Sequence, residues 1–474
     1  MKRTLALLCI ATPMLFVAAA YAEDVPKVTH YSLKLRVLPK ERRLSVAALM
    51  TLTNNTGQPQ KEIPLLLYRL LEVQSVTDEN GQPLKFSQNV LGLSDERNLQ
   101  ANVVSIRLGT PLLPNKSLRV NVTYAGSIFG YPEVMAYVRD TISEAFSLIR
   151  PDAFSYPMLA LPSFKSVSAA YDSSFTYDLE TTVPADYTVA CGGLLTATTR
   201  RDNTVTFVHR SKIPTWRIDI AIAKFKTLAD EERKLFVYVL PEDEPGAMKL
   251  LNEMKNVIAF YSRMFGPVKN YQGYTAIEIR DGWGSQASDY YFLQTSAAFK
   301  DSERIGEMYH EVGHSWNARA KPGVKRCRYF DEAFASYFES LAIREFKGDA
   351  AFLADMEKSR DLFAQWAKYE RRNYDTPIAD YWKEERGRLS YTKGAWSLYV
   401  LHQLVGEENF RGIVRELLRD FSESGADFED FRKTAERVSG KNLSKFFAEW
   451  IYGAESSRVL VDKLTIEEIV RRYP

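Results

Sequence analysis

The hydrophobic period of this chain changes once, near Lys226, and that change limits the possible folds more than any other feature. Before it, apolar residues recur at every second position. The stretches 31–37, 44–52, 118–124, 175–179 and 217–222 each alternate as a half-buried strand does. Asn80-Gly81, Pro114-Asn115 and Asp202-Asn203 supply turns between such stretches. After it, Met248, Leu251, Met254, Ile258, Tyr261 and Phe265 fall on one helical stripe, which Gly266-Pro267 ends. Further helical patterns cover about 303–318, a stretch beginning at Asp331 as N-cap, then 391–404, 407–422, 427–438 and 443–452. Strand-like runs at 235–240, 274–280 and 290–294 interleave with the first of these. A strand-only half followed by a mixed half predicts an α+β chain, and 474 residues exceed what one small core organises.

The first residues stand apart. Met1-Lys2-Arg3 is basic, 4–20 is apolar, and Ala20-Tyr21-Ala22 offers a small-x-small cleavage site, so 1–22 reads as a secretory signal peptide. The expectation is a secreted or periplasmic protein, or a membrane-anchored one if the signal is not cleaved. No later apolar run is long enough to span a bilayer. Loss of Lys2 and Arg3 with the leader leaves 60 basic against 60 acidic residues, a balance that argues against nucleic acid as a partner. Cys191 and Cys327 survive processing, as a disulfide or as two buried thiols. Oligomeric state is not readable.

The chemistry-bearing stretch is His310-Glu311-Val312-Gly313-His314, which uses two of only five histidines. Residues four apart on a helix share a face, so both imidazoles can reach one Zn²⁺ while Glu311 reaches a water beside it. His30 and His209 lie in strand contexts and read as ordinary histidines. A catalytic zinc needs a third protein ligand and a free position for water. Glu332, at the start of the next helix, is the natural candidate, with Cys327 and Asp331 in competition. Glu339, two turns after Glu332, could accept the free ring N–H of a zinc-bound histidine or simply face solvent.

HEVGHSW at 310–316 followed by DEAFASYFE at 331–339 resembles the M1 family of zinc aminopeptidases, which are gluzincins. The spacer is one residue shorter than in the family, and Asp331 and Ala333 stand where the family has Asn and Gly. Ser390-Tyr391-Thr392-Lys393-Gly394-Ala395 is similar to the family's Tyr-x-Lys-Gly-Ala segment, and 446–451 to the close of its catalytic domain. The resemblance implies an N-terminal antiparallel β sandwich or saddle over 23–226, a thermolysin-like mixed α/β catalytic domain over 227–455, and a tail over 456–474. It implies one Zn²⁺ per chain on His310, His314 and Glu332, with Glu311 as general base and the Tyr391 hydroxyl as oxyanion donor. The implied substrate is a peptide.

One family feature is missing. The Gly-x-Met-Glu-Asn segment, whose glutamate grips the substrate's free amine, has no counterpart in 281–292, unless Asp289 substitutes for it. Hydrolysis is therefore better supported than an aminopeptidase's demand for a free N-terminus. The family's large helical C-terminal domain is also not found, which implies a more open site. A non-catalytic peptide-binding protein and a hydrolase of non-peptide substrates are the alternative readings.

Overall fold

The computed structural model describes residues 25–473 except 269, 270, 272 and 289. The signal-peptide stretch 1–22 and Asp289 lie outside the described residues.

The N-terminal part is two packed β layers. Seven strands run in the order Leu194–Arg201, Thr204–Thr215, Phe175–Pro184, Lys27–Leu38, Arg43–Thr53, Ser117–Gly126, Leu71–Asp78. Their inward residues, such as Leu33, Val46, Met50 and Val122, share one core with Ile63, Leu65, Val104 and Ile106 of a three-stranded sheet formed by Gln60–Tyr68, Gln100–Leu112 and Lys85–Gly92. The expected antiparallel arrangement has one exception: Lys27–Leu38 pairs parallel with Phe175–Pro184. The stretch 217–222 is also shorter as a strand than its alternation suggests, beginning only at Ile220. Arg217 and Asp219 are instead committed to a buried ion network, with Arg217 Nη2 2.7 Å from both Asp219 and Asp152.

The C-terminal part begins with a five-stranded mixed sheet in the order Lys226–Asp230, Leu235–Val239, Tyr274–Ile279, Tyr291–Thr295, Gln286–Ser288. The middle strands are parallel, so a crossover is required between the first two of them, and helix Glu244–Phe265 provides it. Its buried face (Leu251, Met254, Tyr261, Phe265) packs in the same core as Met308, Val312 and Trp316 from the segment carrying HEVGH. Three hydrogen bonds fix that segment to the crossover helix and its end, one of them from the Tyr309 hydroxyl to Glu253 at 3.0 Å. Tyr261 donates to the Tyr309 carbonyl at 3.0 Å, and Trp316 Nε1 to the Gly266 carbonyl at 2.8 Å.

The C-terminal helices Lys393–Val405, Glu407–Asp420, Phe428–Ser439 and Ser444–Trp450 close over this core. The last residues, which carried no structural expectation, form helices Glu455–Val461 and Ile466–Val470. Lys393 Nζ donates to Ser457 Oγ at 2.9 Å, and the Tyr473 hydroxyl to Glu449 at 2.7 Å. Cys191 and Cys327 are free and buried. No described helix is long and apolar enough to cross a membrane.

Candidate metal centre

The HEVGH segment is a short α-helix, Gly306–Gly313, continued by a 3₁₀ turn, His314–Trp316. His310 and His314 therefore sit one turn apart, with ring centroids 4.8 Å apart. The next helix does not begin with Asp331 as an N-cap. Arg328 adopts a left-handed backbone (φ 57°), a π-helical turn Tyr329–Ala333 follows, and the α-helix proper is Phe334–Lys347. Turns of this kind recur at functional sites because they re-aim side chains within a helix. Here Glu332 turns inward: its Oε2 lies 3.1 Å from His310 Nε2 and 3.7 Å from His314 Nε2.

Those three residues form the one group among the described residues that could hold a metal ion, with their ligating atoms within 4.8 Å of one another. Zinc bonds of about 2.0–2.1 Å in a tetrahedron put ligand atoms roughly 3.3 Å apart, and the two carboxylate–imidazole spacings of 3.1 and 3.7 Å lie on either side of that value. Two imidazoles and a carboxylate are also the right donor types for a zinc that keeps one position open.

The other ring nitrogens are held as well. His310 Nδ1 lies 3.3 Å from Glu339 Oε2, so Glu339 faces the site and not solvent. Gly306 makes room for it, since a Cβ there would lie 2.7 Å from Glu339 Oε1. Asp331 Oδ1 lies 3.0 Å from His314 Nδ1, on the side of the ring away from the ligand cluster. Asn317 Nδ2 lies 2.7 Å from the same nitrogen and donates to the Asp331 carbonyl. A proton held on each Nδ1 by a carboxylate leaves each Nε2 lone pair for the metal. Cys327, the other competitor for the third ligand position, is buried with its thiol toward the Ala379 carbonyl at 3.5 Å.

Burial lowers the His310 imidazole's proton affinity, but Glu332 and Glu339 more than offset this and raise it. Burial pushes the Glu311 carboxyl up to about 7, against the pull of the two imidazoles. Burial and Asp331 push Glu332 up, while Arg328, His310 and His314 hold it below the usual range. Tyr391 ends the 3₁₀ turn Gly387–Tyr391, stacks on His310 with centroids 5.7 Å apart, and keeps 38% of its surface open. The surrounding protein and then Glu332 raise its hydroxyl, which stays a proton donor.

The edge strand beside the centre is Gln286–Ser288, which bears no carboxylate. It is tied to the zinc-ligand helix through Glu307, whose Oε2 accepts from Ser285, Gln294 and Thr295 at 3.4, 3.2 and 3.1 Å. It is tied to the N-terminal domain by Ser288 and Thr215, 3.0 Å apart. Sequence reasoning missed Glu307, Asn317 and Arg328. The signals were local: Glu307 and Asn317 each lie three positions from a ligand histidine, and Arg328 lies four before Glu332.

A mixed sheet, an HExxH helix packed on its crossover helix and a glutamate from the following helix together assemble the donor set of a zinc site with one open position. Residues 290–450 match the Peptidase family M1 domain. Over 286 residues the chain is 21% identical to "Probable aminopeptidase 1" of Saccharolobus solfataricus, covering 52% of this chain and 33% of that one. It is 23% identical to the "Leucyl aminopeptidase" of the same organism, over 52% of this chain and 33% of the relative. The chain thus spans about a third of the length of these curated relatives. Among solved structures, the M1 zinc metallopeptidase of Deinococcus radiodurans shares the fold, with a TM-score of 0.64, 19% identity, and 93% and 95% of the two chains covered. Yeast LTA4 hydrolase does so with a TM-score of 0.67 and 15% identity, over 90% of this chain and 68% of that one. The stretch 290–450, which holds His310, His314 and Glu332, is thus similar to the peptidase family M1 domain, and the chain shares the fold of M1 zinc metallopeptidases.

Proposed function

We propose that this chain hydrolyses peptide bonds with one zinc held by His310, His314 and Glu332. The observation that carries this reading is the convergence of those three side chains, each backed on its far side, with Glu311 and Tyr391 on the same center. Bound zinc would supply a Lewis acid and an acidified water, whose pKa falls to about 7. Glu311, buried next to His310, takes the water's proton and later passes it to the leaving amine. A carboxyl whose own pKa lies near neutrality suits both transfers. The Tyr391 hydroxyl donates a hydrogen bond to the carbonyl oxygen as negative charge develops there. Glu339 and Asp331 keep the imidazoles oriented.

The relatives' names say aminopeptidase, and the chain's own residues support a looser requirement. Gln286-Ala287-Ser288 offers no carboxylate to pair with a substrate's ammonium, which supports cleavage that does not depend on a free N-terminus. The leader at 1–22 supports action outside the cytoplasm. The test is turnover of aminoacyl reporters against N-acetylated peptides of the same sequence by the zinc-loaded protein. Comparable cleavage of both supports the relaxed reading. Cleavage of free-amine substrates alone makes the chain a strict aminopeptidase. Tight zinc binding with no cleavage of either makes it a binding protein or a hydrolase of another substrate class.

A further inference from the structure

We propose that Arg328 is a positioning residue of the zinc centre: its guanidinium holds Glu332 by one oxygen and presents the other to His310 and His314. This rests on the zinc-site reading above, and extends it to a residue that neither binds the metal nor belongs to the HExxH motif.

Four observations carry it. Arg328 Nη2 donates to Glu332 Oε1 while Glu332 Oε2 faces the two imidazoles, so the carboxylate's two oxygens have separate tasks. The same nitrogen donates to Asp331 Oδ2 at 3.1 Å, and Asp331 Oδ1 is the oxygen next to His314. One cation therefore braces the third ligand and the orienting group of the second. The Arg328 guanidinium carbon also lies 5.9 Å from the Tyr391 ring centroid, which places positive charge beside the oxyanion donor. Finally, the arginine is fixed in place. Its backbone is left-handed, a conformation unfavourable for a non-glycine residue and retained where surrounding structure dictates it. Its stem runs past Gly387, where an added Cβ would lie 3.1 Å from Arg328 Cγ.

The electrostatics explain why a cation is needed there. Glu311, Asp331, Glu332 and Glu339 crowd four carboxyls around two histidines, and Asp331 and Glu332 are adjacent in sequence. Without Arg328, Asp331 and Glu332 repel, and Glu332 is free to rotate away from the imidazoles. Arg328 holds Glu332 in one rotamer, with Oε2 toward the imidazoles. Groups that orient a metal ligand in this way are typically worth about 10–100-fold in metal affinity.

The experiment is zinc affinity of the full chain, measured by competition with a chromogenic chelator, for the unaltered protein and for Arg328→Gln, Arg328→Lys and Gly387→Ala. Arg328→Gln keeps a donor and removes the charge; its zinc dissociation constant should rise about 10–100-fold. Arg328→Lys keeps a single charged donor between the two carboxylates and should stay within about threefold of the unaltered protein. Gly387→Ala leaves every charge in place and crowds both Arg328 Cγ and the Arg326 carbonyl, each 3.1 Å from the added Cβ, so it should weaken zinc in the same direction as Arg328→Gln. The melting temperature of the metal-free protein should be alike in all four. Equal zinc affinity in Arg328→Gln and the unaltered protein overturns the proposal. So does a loss of affinity that merely follows a fall in metal-free melting temperature. Failure of the unaltered chain to bind zinc at all would overturn the zinc-site reading itself, a separate outcome.

Discussion

Replacing Lys393 with methionine should stabilise the folded chain below neutral pH and lose that advantage in base. Lys393 is fully buried two residues after Tyr391, and its one recorded hydrogen bond is to Ser457 at 2.9 Å. Burial lowers its pKa from 10.5 to about 7, with Glu455 opposing. The unfolded chain thus keeps this proton up to about pH 10.5, while the folded chain releases it near 7. Where the unfolded state binds more protons, stability rises with pH, so Lys393 is a liability below 7 that fades between 7 and 10.5. At about 1.36 kcal/mol per pKa unit the full penalty is on the order of 5 kcal/mol. Methionine has similar length, removes the penalty, and forfeits a hydrogen bond of about 1 kcal/mol. The expected gain at pH 6 is several kcal/mol, which for a domain of this size corresponds to a rise of roughly 10 °C in Tm. At pH 10.5 the difference should vanish or reverse by about 1 kcal/mol. Thermal unfolding of both proteins at pH 6, 8 and 10.5, followed by near-UV circular dichroism, measures the difference. Titrating groups that do not act on Lys393 cancel between the two chains. A methionine variant no more stable than the parent at pH 6, or equally shifted at all three values, would refute the reasoning.

Three further outcomes follow from the centre. Glu311→Gln should retain bound zinc and lose about 10²–10⁴-fold in kcat, because the proton has no acceptor; full activity in this variant would remove Glu311 from the chemistry. Tyr391→Phe should lower kcat about 10²–10³-fold with KM little changed, and a change confined to KM would make the residue a binding contact. Glu339→Ala should leave His310 Nδ1 without its acceptor and weaken zinc about 10–100-fold in a chelator titration, whereas unchanged affinity would return Glu339 to an ordinary carboxylate.

What the sequence revealed was local. The pairing of His310 with His314 follows from helical geometry alone, and the stripe on Glu244–Phe265 follows from its period. The strand alternation of the N-terminal half likewise sets which residues face inward. Pairing partners far apart in sequence were not legible: nothing in 27–38 announces a parallel partner at 175–184. Alternation also overstated the strand at 217–222, because a pattern cannot distinguish a solvent-facing arginine from Arg217 buried against Asp152 and Asp219. Asp331 at the front of a helix has the look of an N-cap. The π-helical turn changes its role, sending one oxygen to His314 and the other to Arg328. That turn also decides which way Glu332 points, and a backbone irregularity of this kind leaves no periodic trace. The groups behind the ligands were the least readable, since they act through side-chain geometry that spacing does not specify.

The most direct test of the central claim is the zinc-to-protein ratio of the purified chain, of Glu311→Gln and of His314→Ala, by elemental analysis after dialysis. One zinc per chain in the first two and none in the third is the predicted result. Zinc retained by His314→Ala, or peptide cleavage by a chain that holds no metal, would contradict the account.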